Sequence, residues 1–357
     1  MPQPGAESEN PRVAHGPFAR LPGWVWWLGA VLVVVAAVVV AISRRRELVE
    51  AYHLITRVRL PGLAVAVVFE AMSIMCFAAV SRWLLRAGGV RWSMFRMTAF
   101  AMAANAMAGA LPGGAVFSAA WVYRQLSRRD VGHVLAAAVL VIAGALSTLS
   151  LVVLLLVGAL VTGPSGLGSF VRPVIGVLVF ALTLGLVALG LSRFASFRRV
   201  LRRVWGHIGE RSRRVRQAEV ALVNLADQAR SVQPGFLPWL RPFMFALLNW
   251  IFDAACLAAG MWALGIGVPW HGLLLAYGLT QIAGSLRLTP GGLGIVEASL
   301  SALLIAYGLH PGQAIAATFL YRIISYWALQ PIGWACWIAV TLSPAPSPRS
   351  GKAEGGR

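Results

Sequence analysis

The stretch LTPGGLGIVEASL, residues 288–300, lies inside a long apolar region, yet it carries Pro-Gly-Gly and a carboxylate, Glu297. Proline and glycine end helices, and hydrocarbon penalises both an ended helix and a charge. Whether the surrounding chain is embedded in a membrane therefore decides what this stretch means. Of 357 residues, 59% are hydrophobic and 12% charged, about half the charged fraction usual for a soluble domain. Apolar runs of about 18 or more residues with few charges read as transmembrane helices. Residues 24–42 (WVWWLGAVLVVVAAVVVAI) contain no charge at all.

Six full spans are predicted, near 24–42, 62–80, 134–161, 172–192, 242–264 and 314–340. Polar tails over 1–23 and 343–357 read as disordered, leaving a membrane domain over 24–342. The formal charge of +19 resides in cations placed between the apolar runs. This is how membrane proteins set their orientation, so nucleic acid is not expected as a partner. Cys76, Cys256 and Cys336 stand singly in apolar segments and read as small core residues. Metal and cofactor motifs are absent, as are phosphate-loop and nucleophile-elbow patterns, and no enzymatic activity is expected.

Two apolar segments, 98–123 and 270–308, depart from the spanning pattern, and both are interrupted by Pro-Gly-Gly. AGALPGGAVFSAA (108–120) resembles AGSLRLTPGGLGIVEAS (283–299) once three residues are inserted before the proline. Paired interruptions in two halves of a chain mark the binding region of many transporters. The expected fold is thus all-α and polytopic, with about six spans, two re-entrant segments and an inverted repeat.

The arginine-rich segment 193–241 is expected on the cytoplasmic side. Phe194, Phe197, Leu201, Val204, Trp205 and Ile208 share one helical face within it. Such a basic amphipathic helix suits either the headgroup plane or the protein's own inner surface. Arginine counts alone nearly balance two orientations. The inversion of the halves selects the one with both termini in the cytoplasm of a bacterial inner membrane.

Each interruption has a chemical reading. Pro290 suits the first turn of a helix, while Gly291, Gly292 and Gly294 permit unusual dihedrals and close approach. A helix starting there presents amide donors and a positive dipole end to an anion such as a lipid phosphate. Pro112, Gly113 and Gly114 offer a second, facing terminus. Three acids fall within apolar segments, Glu70, Asp253 and Glu297. Glu297 sits on the first turns after the break, with Arg287 and Arg322 both available as partners. Glu70 and Asp253 read either as cavity carboxylates or as protonated acids. Asn105, Asn249 and Gln281 read as interhelical hydrogen-bonding groups.

At these residues a family resemblance appears. LTPGGLGIVEASLSALLIAYGLHPGQAIAATFLYRIISYW (288–327) resembles the second signature of the lysylphosphatidylglycerol synthase transmembrane-region family. NAMAGALPGGAVFSAAWVYRQL (105–126) resembles its first, and RWLLRAGG (82–89) the stretch that usually precedes it. The resemblance implies an eight-segment, flippase-like domain handling phospholipid or polyprenyl-linked lipid, and adds Tyr123 and Arg124 to the candidate positions. Full-length synthases carry a soluble aminoacyl-transferase domain after the membrane part, and this sequence ends at Arg357 without one. Aminoacylation of lipid is therefore not expected. Ala115-Val116-Phe117-Ser118 also replaces the Gly-Glu that many relatives carry after the first Pro-Gly. The expected function is translocation or headgroup binding of a lipid, with an anionic headgroup as partner. The alternative is a membrane subunit that scaffolds a separately encoded lipid-modifying or glycosyl-transferring enzyme. Homo-oligomers fit either reading.

Overall fold

The computed structural model describes residues 45–110, 113–129, 131–162, 237–285 and 289–343. The expected spans at 24–42 and 172–192, most of the basic segment 193–241, both tails apart from Ser343, Pro112 and Arg287 lie outside the described residues. The chain divides into two compact units, Met1–Leu48 and Val49–Arg357. Of the first, only Arg45–Leu48 are described, as the opening turn of helix α1 (Arg45–Thr56).

The regular structure of the second unit's described residues is all helical. After α1 come α2 (Leu60–Ala87), α3 (Met94–Ala110), α4 (Gly114–Ser127) and α5 (His133–Thr162). Beyond the undescribed stretch follow α6 (Leu237–Ala263), α7 (Trp270–Ser285), a 3-10 turn (Pro290–Gly292) and α8 (Ile295–Ala306). The chain closes with α9 (Pro311–Arg322), a π-helical turn (Ile323–Trp327) and α10 (Leu329–Leu342). Four of the described helical stretches are long and apolar enough to cross a membrane: Leu60–Ala87, Leu135–Thr162, Pro238–Ala263 and Pro311–Leu342. They coincide with the four expected spans that fall on described residues.

Helix starts follow local chemistry. Pro61 and Pro311 occupy the first turns of α2 and α9, where a missing amide proton costs no hydrogen bond. Pro242 lies inside α6, close enough to its start that only the opening turns lose a donor.

The main helix pairs run antiparallel. Along α2 and α6, Gly62 meets Ala263, Phe69 stacks on Phe252, the Ser73 hydroxyl donates to Asn249 Oδ1 at 3.1 Å, and Trp83 meets Trp239. A methyl group on Gly62 would lie 2.7 Å from the Ala263 backbone, so glycine is what lets these helices approach. Gly158 and Gly278 similarly seat α5 against α7, and Gly333 seats α10 against α3. The order long helix, short helix, break, short helix, long helix thus occurs twice. The two first helices pack on each other, and each second helix packs on the last helix of the other half.

Candidate functional site

Both Pro-Gly-Gly stretches interrupt the helical path. At the first, α3 ends at Ala110 and α4 begins at Gly114, with Gly113 in the left-handed region at φ 67°. A Cβ on Gly114 would stand 2.5 Å from the Ala108 carbonyl oxygen, so the chain doubles back tightly. Ser118 Oγ donates to the Ala104 carbonyl at 2.6 Å and ties the two arms together.

The second break is longer than the sequence reading implied. Pro290 opens only a 3-10 turn, and the α-helix begins at Ile295. Gly291, Gly292 and Gly294 have φ of 60°, 68° and 82°, values incompatible with a right-handed helix until the glycines end. The first α-helical bond runs from the Ala298 amide to the Gly294 carbonyl at 2.9 Å. Glu297 is therefore the third residue of α8. Its Oε2 accepts the Gly294 amide at 2.7 Å, the carboxylate half of a capping box. The negative charge expected at this terminus is thus supplied by the protein itself.

Arg322 answers the question of the Glu297 partner. Its Nε donates to Glu297 Oε1 at 2.7 Å, and its Nη2 donates to the Gly291 carbonyl at 2.9 Å. Its guanidinium lies 4.3 Å from the centre of the Tyr326 ring. Arg322 is 7% exposed, so this is a protein-enclosed pair. Thr289 Oγ1 donates to the Leu293 carbonyl at 2.8 Å and satisfies a further group of the break. An unsatisfied backbone group in hydrocarbon would cost several kcal/mol; here side chains take up these groups of the break.

Tyr326 joins the two breaks. Its hydroxyl donates to the Gly109 carbonyl at 2.9 Å, near the end of α3, while its ring lies against Gly291. Arg322 is the last residue of α9 and Tyr326 sits in the π turn that follows. The π turn adds a residue to one helical turn, a distortion common at functional sites. Replacing Tyr326 with Phe is expected to lower thermal stability by about 1–3 kcal/mol, the cost of an unsatisfied buried carbonyl. An unchanged Tm in detergent would show that the hydroxyl does not brace the breaks.

A second polar group lies deeper. Asp253 of α6 accepts three hydrogen bonds: Tyr277 Oη at 2.6 Å and Gln281 Nε2 at 3.3 Å on one oxygen, and Tyr321 Oη at 2.8 Å on the other. Gln281 Nε2 also donates to Tyr321 Oη at 3.2 Å. Glu70 of α2 faces Asp253 within hydrogen-bonding reach, with the Cys256 thiol beside it. Glu70 is 6% exposed, and its Oε2 has no hydrogen-bond partner among the described residues. An uncompensated charge at the bilayer centre costs about 2.5–3.5 kcal/mol on insertion scales.

The remaining sequence candidates separate. Gly291, Glu297 and Arg322 come together, joined to Gly109 by Tyr326, and Asp253, with Glu70 facing it, is reached through Tyr321. Tyr123 and Arg124 do not join them, because they lie near the far end of α4, about 15 Å along the helix from Gly114. There Tyr123 Oη and His133 Nδ1 are 3.2 Å apart, and Arg124 is exposed. Asn249 and Gln281 make the interhelical bonds expected of them, whereas Asn105 is exposed. Sequence reasoning missed Tyr277, Tyr321 and Tyr326. Tyr321, next to Arg322 in YRIISYW, was the available signal, whereas Tyr277 in AYGLTQ has no charged neighbour in the sequence.

Among the described residues, four helices long and apolar enough to cross a membrane and two interrupted segments define a multi-pass, all-α membrane protein. The family model for the lysylphosphatidylglycerol synthase TM region matches residues 26–333, and the chain belongs to that family. It is also 25% identical over 141 residues to a UPF0104 membrane protein of Methanothermobacter thermautotrophicus. That match covers 37% of this chain and 42% of the relative, so the chain spans less than half of the relative's length.

Proposed function

We propose that this protein is a carrier, not an enzyme, that moves the headgroup of an anionic phospholipid or polyprenyl-linked lipid between membrane leaflets. The observation that carries the reading is the meeting of two interrupted helices on one π-bulged turn, through Arg322 and Tyr326. Irregular backbone survives at membrane depth where protein or a water-filled path surrounds it. The antiparallel pairing of equivalent helices supports an inverted repeat, the architecture in which two halves rock about a shared site. The Glu297–Arg322 pair supports a headgroup clamp. A phosphate competing for the guanidinium would loosen the second break while Glu297 stays capped on α8. Exposed Val116 and Phe117 on α4 supply apolar surface beside the first break, where acyl chains remain in lipid. The cytoplasmic membrane of a bacterium, with both termini inside, is the setting this reading takes from the arginine distribution together with the inversion of the two halves.

The test is reconstitution of the full chain into phosphatidylcholine–phosphatidylglycerol vesicles containing fluorescent phosphatidylglycerol. Flipping is read by the fraction of probe open to an external reductant. Wild-type protein is expected to expose both leaflets, and Glu297→Gln to slow the exchange by about tenfold, one unpaired charge-assisted contact of about 1.5 kcal/mol. Protein-containing vesicles that behave like empty ones would sink the carrier reading.

A further inference from the structure

We propose that the contact between Glu70 and Asp253 is a binding site for one exchangeable proton, and that its occupancy is felt by the Arg322 clamp. The inference deepens the carrier reading and rests on it only for the consequence in transport. The site is built from two helices that hold each other in register, since Phe69–Phe252 and Ser73–Asn249 flank the two acids along the α2–α6 seam. Asp253 has its oxygens filled by donors from Tyr277, Gln281 and Tyr321. A carboxylate accepting three such bonds is the charged member of the pair. Glu70, facing it with 6% exposure, completes the contact as a donor, which requires a proton on its carboxyl.

Charge balance leads to the same assignment. The titratable groups facing Glu70 among the described residues are Asp253 and Cys256 of α6, with Tyr321 of α9 also feeling its charge. Around Asp253 stand Tyr277 of α7 and Tyr321 of α9, and the charge of Arg322 also acts on it. Arg322 is already committed to Glu297 and the Gly291 carbonyl. Two carboxylates in contact would share no cation of their own, and like charges so close do not both ionise. Sodium or another metal ion fits poorly, because the oxygens of Asp253 are occupied by hydroxyl and amide donors. A proton needs only one acceptor. Glu70 Oε2 is buried and no described residue donates to it, which fits a carboxyl oxygen that carries the proton rather than one that bears charge.

The link to the breaks is covalent and short. Tyr321, which donates to Asp253, immediately precedes Arg322, which holds both Glu297 and Gly291. When the proton leaves, only the Glu70 O–H bond breaks, the proton passes to water, and Asp253 loses a donor. The added charge then draws the Tyr321 hydroxyl and the Arg322 guanidinium toward the acids and away from the second break.

Infrared spectroscopy of the full chain in detergent near neutral pH tests the site directly. Wild-type protein is expected to show a protonated-carboxyl C=O band that shifts in heavy water and disappears in Glu70→Gln. In Asp253→Asn, the second variant, the band is expected to remain at a changed frequency, because Glu70 then bonds to an amide. A wild-type spectrum without the band, or a band untouched by Glu70→Gln, overturns the proposal. In the phosphatidylglycerol vesicles, a pH gradient is expected to change the wild-type flipping rate, and the ratio of rates with and without the gradient to fall to unity in Glu70→Gln. Wild-type flipping indifferent to the gradient overturns the link to the clamp. Vesicles that never flip, from protein that shows the Glu70 band, sink the carrier reading and support the proton site.

Discussion

Arg322→Ala is expected to be the most damaging single substitution in the described membrane domain. It removes the Nε bond to Glu297, the Nη2 bond to the Gly291 carbonyl and the stacking on Tyr326 at once. Glu297 is left as a largely enclosed carboxylate with only the Gly294 amide. Breaking a buried pair from one side costs about 3–5 kcal/mol, and a shift of that size should appear as a much lower Tm in detergent. Lipid flipping should fall to the level of empty vesicles. The double variant Arg322→Met with Glu297→Leu separates the two effects. Removing both charges and keeping the volume is often neutral for stability, so Tm should recover while flipping stays lost. Recovery of flipping in the double variant would mean that the pair only holds the helices together.

Gly291→Ala is the second large effect. At φ 60° the added Cβ costs about 1–2 kcal/mol from backbone sterics alone. The same atom would also stand 2.0 Å from the Tyr326 hydroxyl oxygen. Tyr326 must then leave Gly109, and the brace between the breaks opens. Gly113→Ala provides the comparison, since φ and ψ there are 67° and 13°, close to the 60° and 13° of Gly291, but a Cβ would meet nothing within 4 Å. The Gly291 variant should therefore be the less stable of the two in chemical denaturation, by about the 1–3 kcal/mol of a lost buried hydrogen bond. Equal losses would remove the Tyr326 contact from the account of the site.

These expectations depend on contacts of different ranges, and so did their visibility in the sequence. Pro-Gly-Gly announced both interruptions because proline and positive-φ glycine act on their own backbone. Glu297 could be placed on the opening turn for the same reason. The helix start itself was displaced from Pro290 to Ile295 because three successive positive-φ glycine positions, Gly291, Gly292 and Gly294, extend the break. That property belongs to the folded backbone and not to residue identity alone.

Pairings across the chain were a different matter. Arg287 and Arg322 were both available to Glu297 in the sequence, and 25 residues separate it from Arg322, with which it pairs. Glu70 and Asp253 meet only because α2 and α6 lie antiparallel in one register. A shift of one residue would rotate either acid by about 100° around its helix. Tyr123 and Arg124, close in sequence to the first break, are carried away from it by the rise of α4.

Taken alone, the amino-acid order determined that this chain lives in a membrane, where four helices long and apolar enough to cross it run, and that two helices must snap. Those are consequences of hydrophobic length and of local backbone freedom, which each segment carries with it. Only the packed structure decided that Arg322 pairs with Glu297, that one tyrosine braces both breaks, and that two distant acids share a contact. Such choices depend on the register of helices far apart in the chain, and register is set by how small residues such as Gly62 and Gly333 let whole surfaces close on one another.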